Sequence, residues 1–404
     1  MGALLEFDRS QRPVYLDANA TTSLLDDVVS AMVPWFSSRS GNPSSSHARG
    51  REAREAIDKA RERVAELIGA RGEDIVFTGG GTEANNLAIF GTVVEAGAHI
   101  ITTSIEHHAV LHAIGRLESR LGCTVTYLAP NKSGAVNAED VRRALRRKTR
   151  LISIMMANNE TGVVQPIEAI GRIARESGVL FHSDAVQAAG KIPLDVNRIG
   201  CDLLSLSAHK IHGPQGVGAL FVRDGVRLDP MLVGGGHEMG RRAGTENVAG
   251  IVGFGEASRI AQKGFKDGSL ERIQKLRNAL ERSLLRETGA GVNGAQGLRV
   301  PNTTNLWFEG AEGGKLIPLL DRMGVEVSGG SACNADSCEP SHVLRAMDVS
   351  PGRASSSVRF SLSKQTTIED VDFTIWQVSE ALDKLRSAPR RPSKQRGVSL
   401  SQNV

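Results

Sequence analysis

The run SLSAHKIHGPQGVG (205–218) ends an apolar stretch on Lys210, set between two histidines and a glycine-rich turn. Lysines avoid burial unless paired or chemically used, and a desolvated lysine amine is a nucleophile able to form a Schiff base. A lysine at a strand end is by default a surface residue, so this run alone decides nothing. In FHSDAVQAAGK (181–191), Asp184 stands just past a second apolar strand, where open α/β sheets bind ligands, and Gln187 follows one turn on. A carboxylate there can fix a protonated ring nitrogen; taken alone, Asp184 reads as a helix N-cap. TGGGTEANNLAIFG (78–91) follows a strand and opens a helix, so its glycines let the backbone approach a ligand while the helix start offers unpaired N–H groups to a phosphate. A dinucleotide site is the rival, but the spacing is not G-x-G-x-x-G and no acid closes a second strand about twenty residues on.

Amine, carboxylate and phosphate cradle together are what pyridoxal phosphate requires. Three further stretches fit beside them. TTSIEHHAVLHA (102–113) places His107 and His108 at a helix start, where one histidine can stack on a flat ring and move protons. His108 and His112 have the i,i+4 spacing of a zinc pair but lack the accompanying carboxylate motif, so no metal is expected. MANNETG (156–162) offers Asn158 and Asn159 at a strand end, and SSVRFSLS (356–363) offers Arg359, whose planar fork suits a carboxylate. Finally, EVSGGSACNADSCEP (326–340) sets Cys333 between Gly-Gly-Ser and Asn-Ala-Asp, with Cys338 five residues on. Unreactive cysteines sit in apolar cores, whereas this segment has the composition of a solvent-facing loop. A structural disulfide, half of a metal site and a nucleophile that must move are the three candidates for Cys333.

The elements that must position these residues are visible as alternating helical and short apolar patterns. Residues 44–70 repeat apolar side chains at a period near 3.6, with Ser44 to Ser46 as caps and Gly69 as the stop. Strands are predicted at 74–78, 99–103, 124–128, 151–157, 179–183, 203–207 and 218–222. Most are apolar at consecutive positions, as in strands covered on both faces. The pattern is α/β with a mostly parallel sheet; the last two strands are too close in sequence for a helical crossover, so at least one runs antiparallel. Beyond about residue 265, two long helices flank mixed strands, as in a smaller α+β domain. The expected organisation is a large domain over 15–262, a small domain from 1–14 and 263–386 that carries the Cys333 loop, and a basic tail over 387–404.

Composition excludes several classes. Hydrophobic residues at 40% and charged residues at 23% are ordinary for a globular protein. No run of eighteen apolar residues suggests a membrane span. The start, MGALLEFDRSQRPVY, is acidic where a signal peptide is apolar, and Glu6 stands where a myristoylation site has Ser or Thr, so a cytosolic protein is expected. The net charge of +4 comes from the tail: without the six Lys and Arg from Lys384 onward, 43 basic residues face 45 acidic ones. Direct nucleic-acid binding is therefore not expected. The run VRRALRRKTR (141–150) fits an exposed helix face. Four cysteines make no disulfide framework, and Cys123 and Cys201 read as buried small hydrophobes.

Taken in register, YLDANATT (15–22), GNPSSSH, GTEANN, EHHAV, NNETGVVQ, HSDAVQ, SAHKIHGPQG, GGGHEMGRRAGTEN, SGGSAC and RFSLS resemble the cysteine desulfurases of the NifS/IscS type, within the class V aminotransferase group. The resemblance spans nearly the whole chain and implies fold type I, pyridoxal 5'-phosphate, and conversion of L-cysteine to L-alanine. It implies that Lys210 holds the cofactor as a Schiff base and Asp184 pairs with the ring nitrogen. His107 would stack and move protons, with Gln187 and Asn159 near the ring oxygen. Gly81, Thr82, Ser207 and His209 would hold the phosphate, joined by Thr245 from a neighbouring subunit of a homodimer. Asn42 and Arg359 would hold the substrate carboxylate, and Cys333 would take the sulfur as a persulfide. The long spacing from Val327 to the helix signal at His342 matches the group I enzymes. A sulfur-acceptor protein, such as an iron–sulfur scaffold or a thiolation enzyme, is the implied partner. No resident metal is expected, only contact with an iron–sulfur cluster through Cys333 during transfer.

The chain departs from the family pattern at Cys338, which is either inert or the partner of Cys333 in a reversible disulfide; the tail beyond Arg386 has no family counterpart. The competing expectations are another class V enzyme (a selenocysteine lyase or an aminotransferase), a silent scaffold of the same fold, and a nicotinamide dehydrogenase.

Overall fold

The computed structural model describes residues 13–329 and 341–387. In chain order its strands are β1 (Val14–Tyr15), β2 (Ile75–Thr78), β3 (His99–Thr103), β4 (Thr124–Leu128), β5 (Thr149–Ser153), β6 (Leu180–Asp184), β7 (Leu203–Ser207), β8 (Gly218–Val222), β9 (Gly291–Val292), β10 (Thr303–Trp307), β11 (Val325–Glu326) and β12 (Ser357–Ser361). Seven of them form the main sheet in the order β2-β8-β7-β6-β5-β3-β4. Strands β4, β3, β5, β6 and β7 run parallel, and β8 lies antiparallel to both β7 and β2. This is the expected mixed, mostly parallel sheet, and β8 is antiparallel because only residues 208–217 separate it from β7.

Helices cover both faces, which explains the unbroken apolar runs: every residue of β2, β3, β7 and β8 is buried. The principal core joins Phe77, Ile101, Ile152, Phe181, Leu204 and Phe254. A second core gathers Leu16, Leu280, Leu306, Phe308, Val358, Phe360 and Val378 around the three-stranded sheet β12-β10-β9. Each such side chain stabilises by roughly 1.5–3 kcal/mol relative to exposure. Cys123 and Cys201 are buried thiols, as expected, and burial pushes the Cys201 pKa up to about 12.

Two local expectations are corrected. The helix Ala48–Leu67 is capped by the His47 ring, which accepts the Gly50 N–H at 3.3 Å, not by Ser44 to Ser46. The fifth strand starts at Thr149 and ends at Ser153 rather than spanning 151–157, so the apolar run from Ile154 to Ala157 leaves the sheet. That exit matters, because it brings Met155, Ala157 and Asn159 to the ligand edge of the sheet.

Candidate active site

At the carboxyl ends of β2, β5, β6 and β7 a cavity of about 870 Å³ opens, within the usual size for a cofactor site. Of the residues singled out from sequence, it is lined by Gly81, Thr82, His107, Asn159, Asp184, Gln187, Ser207, His209, Lys210 and Arg359. Asn42 and Thr245 lie outside it. Asn42 is exposed, its amide oxygen accepting the Ser44 N–H at 2.9 Å, and Thr245 is exposed on the loop after Arg241. Cys333 and Cys338 fall outside the described residues. Asn158 is also not part of the lining: its amide is consumed by Glu160 N–H, Thr161 N–H and the Ile105 carbonyl, and so shapes the turn that presents Asn159.

Asp184 is the last residue of β6 and is held by two donors. Its Oδ2 accepts from the Asn85 amide at 2.7 Å and its Oδ1 accepts the Val186 N–H at 2.9 Å. The second bond closes a tight turn rather than capping a helix, so the plain N-cap expectation is corrected. Lys210 sits in a single 3-10 turn after β7, and its Nζ donates to the carbonyls of Asn19 and Ala20 at 2.6 and 2.7 Å.

His107 caps the helix His108–Leu121, its Nδ1 accepting the Ala109 N–H at 3.1 Å. Burial holds its pKa below the ordinary 6.5; nearby Asp184 works against this, and Lys210, His108 and His342 add to it. The ring is thus neutral at pH 7, with Nε2 carrying the proton. His209, bonded through Nδ1 to Thr21 Oγ1 at 3.1 Å, is pushed down to about 4 by burial and by Lys210. Three more rings stand beside His107: His108 and His112 have centroids 5.1 Å apart, and His108 and His342 4.7 Å. Among the described residues no cluster is arranged to hold a metal ion.

The glycine-rich turn forms the opposite end. Gly80 has φ +150°, open only to glycine, and a Cβ on Gly81 would meet Val186 Cγ2 at 2.8 Å and Ser207 Cβ at 3.3 Å. Gly81 is the first residue of a twelve-residue helix whose opening N–H groups face the cavity mouth. Beside it, the Ser207 hydroxyl is buried without a hydrogen-bond partner, as is Asn85 Oδ1. An orphaned hydroxyl next to a helix start is a donor set waiting for an anion. The orphaned Ser207 hydroxyl beside the Gly81 helix start fits the phosphate of the pyridoxal phosphate that the fold implies.

The far wall comes from the second core. Arg359 lies on β12 and is only 1% exposed. Its Nη2 donates to Asp17 Oδ1 at 2.6 Å and its Nη1 to the Asn159 carbonyl at 2.9 Å. Beneath it, burial raises the pKa of Glu160, whose Oε2 accepts the Ser341 hydroxyl at 2.5 Å. Sequence reasoning assigned no role to Asp17, Asn19, Asn85, Glu106 or Lys191. Asn85 had a visible signal, a polar residue on the buried face of the helix that follows the glycines. The other four act through contacts distant in sequence, to which Glu106 adds Thr103 and Lys191 adds Gln187 nearby.

A parallel-sheet transferase with a lysine amine, a carboxylate and a phosphate cradle at its strand ends is the class that this fold and site define. The class V aminotransferase family matches residues 14–373. The chain is 47% identical to the cysteine desulfurase IscS of Dictyoglomus turgidum over 93% of its own length and 96% of that protein. It is 46% identical to the IscS of Methanosarcina thermophila over 95% and 96%. Among solved structures, a NifS-like protein superposes with a TM-score of 0.86 at 38% identity, covering 92% of this chain and all of that one. SspA, solved in complex with cysteine, gives 0.78 at 40% identity over 87% of this chain and 99% of that one. The chain belongs to the class V aminotransferases and, within them, to the cysteine desulfurases of the NifS/IscS type.

Proposed function

We propose that the protein converts L-cysteine to L-alanine with pyridoxal phosphate and passes the sulfur to Cys333. The observation that carries this is the single cavity lined by Lys210, Asp184, His107, the orphaned Ser207 hydroxyl and the buried Arg359. A relative solved with cysteine, SspA, supports the substrate. When bound, the cofactor supplies a carbonyl that condenses with amines and a ring that accepts electron density from the substrate's Cα.

The chain's own groups do the rest. Lys210 presents its amine from a short turn, where the carbonyls of Asn19 and Ala20 orient it by accepting its hydrogen bonds. Asp184, held by Asn85 and Val186, keeps a proton on the nitrogen that faces it. Gly81, Thr82, Ser207 and His209 bind the phosphate, and Asn159 and Gln187 line the ring edge. Arg359 binds the substrate carboxylate with its fork, pre-oriented by Asp17. His107 enters neutral at pH 7 and offers its Nε2–H for proton transfer at the substrate. The Cys333 thiolate attacks the substrate sulfur: an S–S bond forms, the Cβ–S bond breaks, its electron pair stays with Cβ and is protonated, and alanine leaves. The persulfide then serves an acceptor protein for iron–sulfur assembly or thiolation, in the cytoplasm.

Exposed Thr245 and the exposed apolar residues Val33, Phe36 and Val233 suit a homodimer in which Thr245 reaches the neighbouring phosphate. Intact-mass measurement after incubation with pyridoxal phosphate and L-cysteine tests the proposal. One added, reductant-labile sulfur on Cys333, with alanine released, is the expected result; alanine without that sulfur would reject the transfer step.

A further inference from the structure

A second buried amine lies next to Lys210. Lys191 is 9% exposed, and its Nζ donates to Gln187 Oε1 at 2.7 Å and to Asn19 Oδ1 at 3.0 Å. Asn19 is a hub: its carbonyl accepts from Lys210 Nζ and from Gln187 Nε2 at 3.0 Å, and its amide reaches Thr303 Oγ1 at 2.9 Å. As an ammonium, lysine Nζ has only donors, and both of its contacts here are to amide oxygens. Whatever amide atom faces it must therefore be an oxygen, and the rotamer of Gln187 is decided. Gln187 then turns its nitrogen toward Asn19 and the cavity, with one N–H used on the Asn19 carbonyl and the second left for a ligand. Without Lys191 the amide could flip and present its oxygen instead.

Resting on the pyridoxal phosphate assignment above, we propose that Lys191 is a positioning residue that locks Gln187 as a hydrogen-bond donor to the cofactor's ring oxygen. The charged groups facing Lys191 are Lys210 and Arg359, with His212 also in range. None is an acid, and burial together with these cations lowers the amine's pKa well below the ordinary value. So Lys191 acts by donating hydrogen bonds, not by pairing with a carboxylate. A small cavity of about 40 Å³ lined by Lys191 and Asn302 leaves slack for a modest change of side chain.

A donor on the ring oxygen stabilises its anionic form and pulls down the midpoint of the bound cofactor's visible-absorbance transition with pH. The test is spectrophotometric titration of the holoenzyme as wild type, Lys191→Met, Lys191→Arg, Gln187→Met and the Gln187→Met/Lys191→Met double variant. Losing one hydrogen bond should raise the midpoint by about half to one pH unit in Lys191→Met. Lys191→Arg, which still only donates, should stay near wild type. In the Gln187→Met background, Lys191→Met should add nothing. An unmoved midpoint in Lys191→Met, or an equal shift with Gln187 already gone, overturns the proposal, the latter pointing to through-space charge. If wild type shows no cofactor absorbance, the pyridoxal phosphate assignment itself fails. If the variants do not fold, the crystal structure of the wild-type holoenzyme decides: Lys191 Nζ bonded to Gln187 Oε1, with the amide nitrogen toward the ring, upholds the role, and the reverse amide rejects it.

Discussion

On the sheet side of the cavity, Asp184, Ser207 and Lys210 come from adjacent strand ends, and Asp184 is held there by Asn85 and Val186. On the opposite side, Arg359 reaches the cavity from β12 and is oriented by Asp17, 342 residues away in sequence, and by the carbonyl of Asn159. The first wall is rigid by topology: parallel strands fix where their ends point. The second exists only when the two cores are docked. The ring-binding chemistry is thus preformed, whereas recognition of the substrate carboxylate depends on the relation between the cores. Changes on the sheet wall should remove chemistry, and changes on the far wall should weaken binding.

The largest effect should come from Lys210→Ala, with kcat for alanine formation falling on the order of 10³-fold or more, because no other group supplies that amine to the cofactor. Retention of substantial steady-state turnover would break the comparison at its strongest point. Asp184→Asn should lower kcat by roughly 10²-fold or more with little change in KM, read from steady-state kinetics. Asn85→Ala, which removes one donor to that carboxylate, should cost about tenfold.

On the far wall, Arg359→Lys keeps the charge but loses the fork, and leaves Asp17 poorly paired in a buried place. We expect KM for L-cysteine to rise by about 10²-fold with a smaller change in kcat, together with a lower melting temperature, since breaking a buried pair costs about 3–5 kcal/mol. A pure kcat effect would show that Arg359 belongs with the chemistry instead.

Acid should act on the sheet wall. The His107 pKa is lowered below 6.5 in the folded protein, so its neutral form is the native one. The stability this contributes is complete above pH 6.5 and is lost as pH falls through the folded pKa. The rate should follow the same sense, with an acid limb in kcat/KM below pH 6.5 that His107→Asn removes.

The smallest effect concerns Glu106, buried next to His107 and bonded to Thr103 Oγ1 at 2.6 Å and to the Met155 N–H at 3.0 Å. Burial is the main cause raising its pKa to about 8, with nearby Asp184 adding to it. A raised carboxyl contributes stability that is complete below about 4.5 and is lost as pH rises through about 8. Glu106→Gln should therefore flatten the stability profile across that window in denaturant titrations.

Much of the sheet wall was legible in the sequence, because it depends on local signals. Apolar runs end at Asp184 and Lys210, and glycines precede Thr82 where a helix must begin. The α/β class and the antiparallel strand followed from strand content and connection length. The contacts that orient these groups were hidden for a common reason. Asn19 meets Lys191 and Thr303, and Arg359 meets Asp17, across 172, 284 and 342 residues. No periodicity reports such pairings. The β5 boundary misled because Ile154 to Ala157 are as apolar as the strand itself, although Met155 and Ala157 turn to line the cavity. The His47 cap was hidden among three serines, which have the better intrinsic preference.

Two lysines, half-buried Lys210 and buried Lys191, stand in one cavity region, and the account needs the cofactor on only one of them. Borohydride reduction of the holoenzyme, followed by digestion and mass spectrometry, locates the pyridoxyl label. The account predicts the label on Lys210 alone; a label on Lys191, or none in protein that has taken up pyridoxal phosphate, would contradict it.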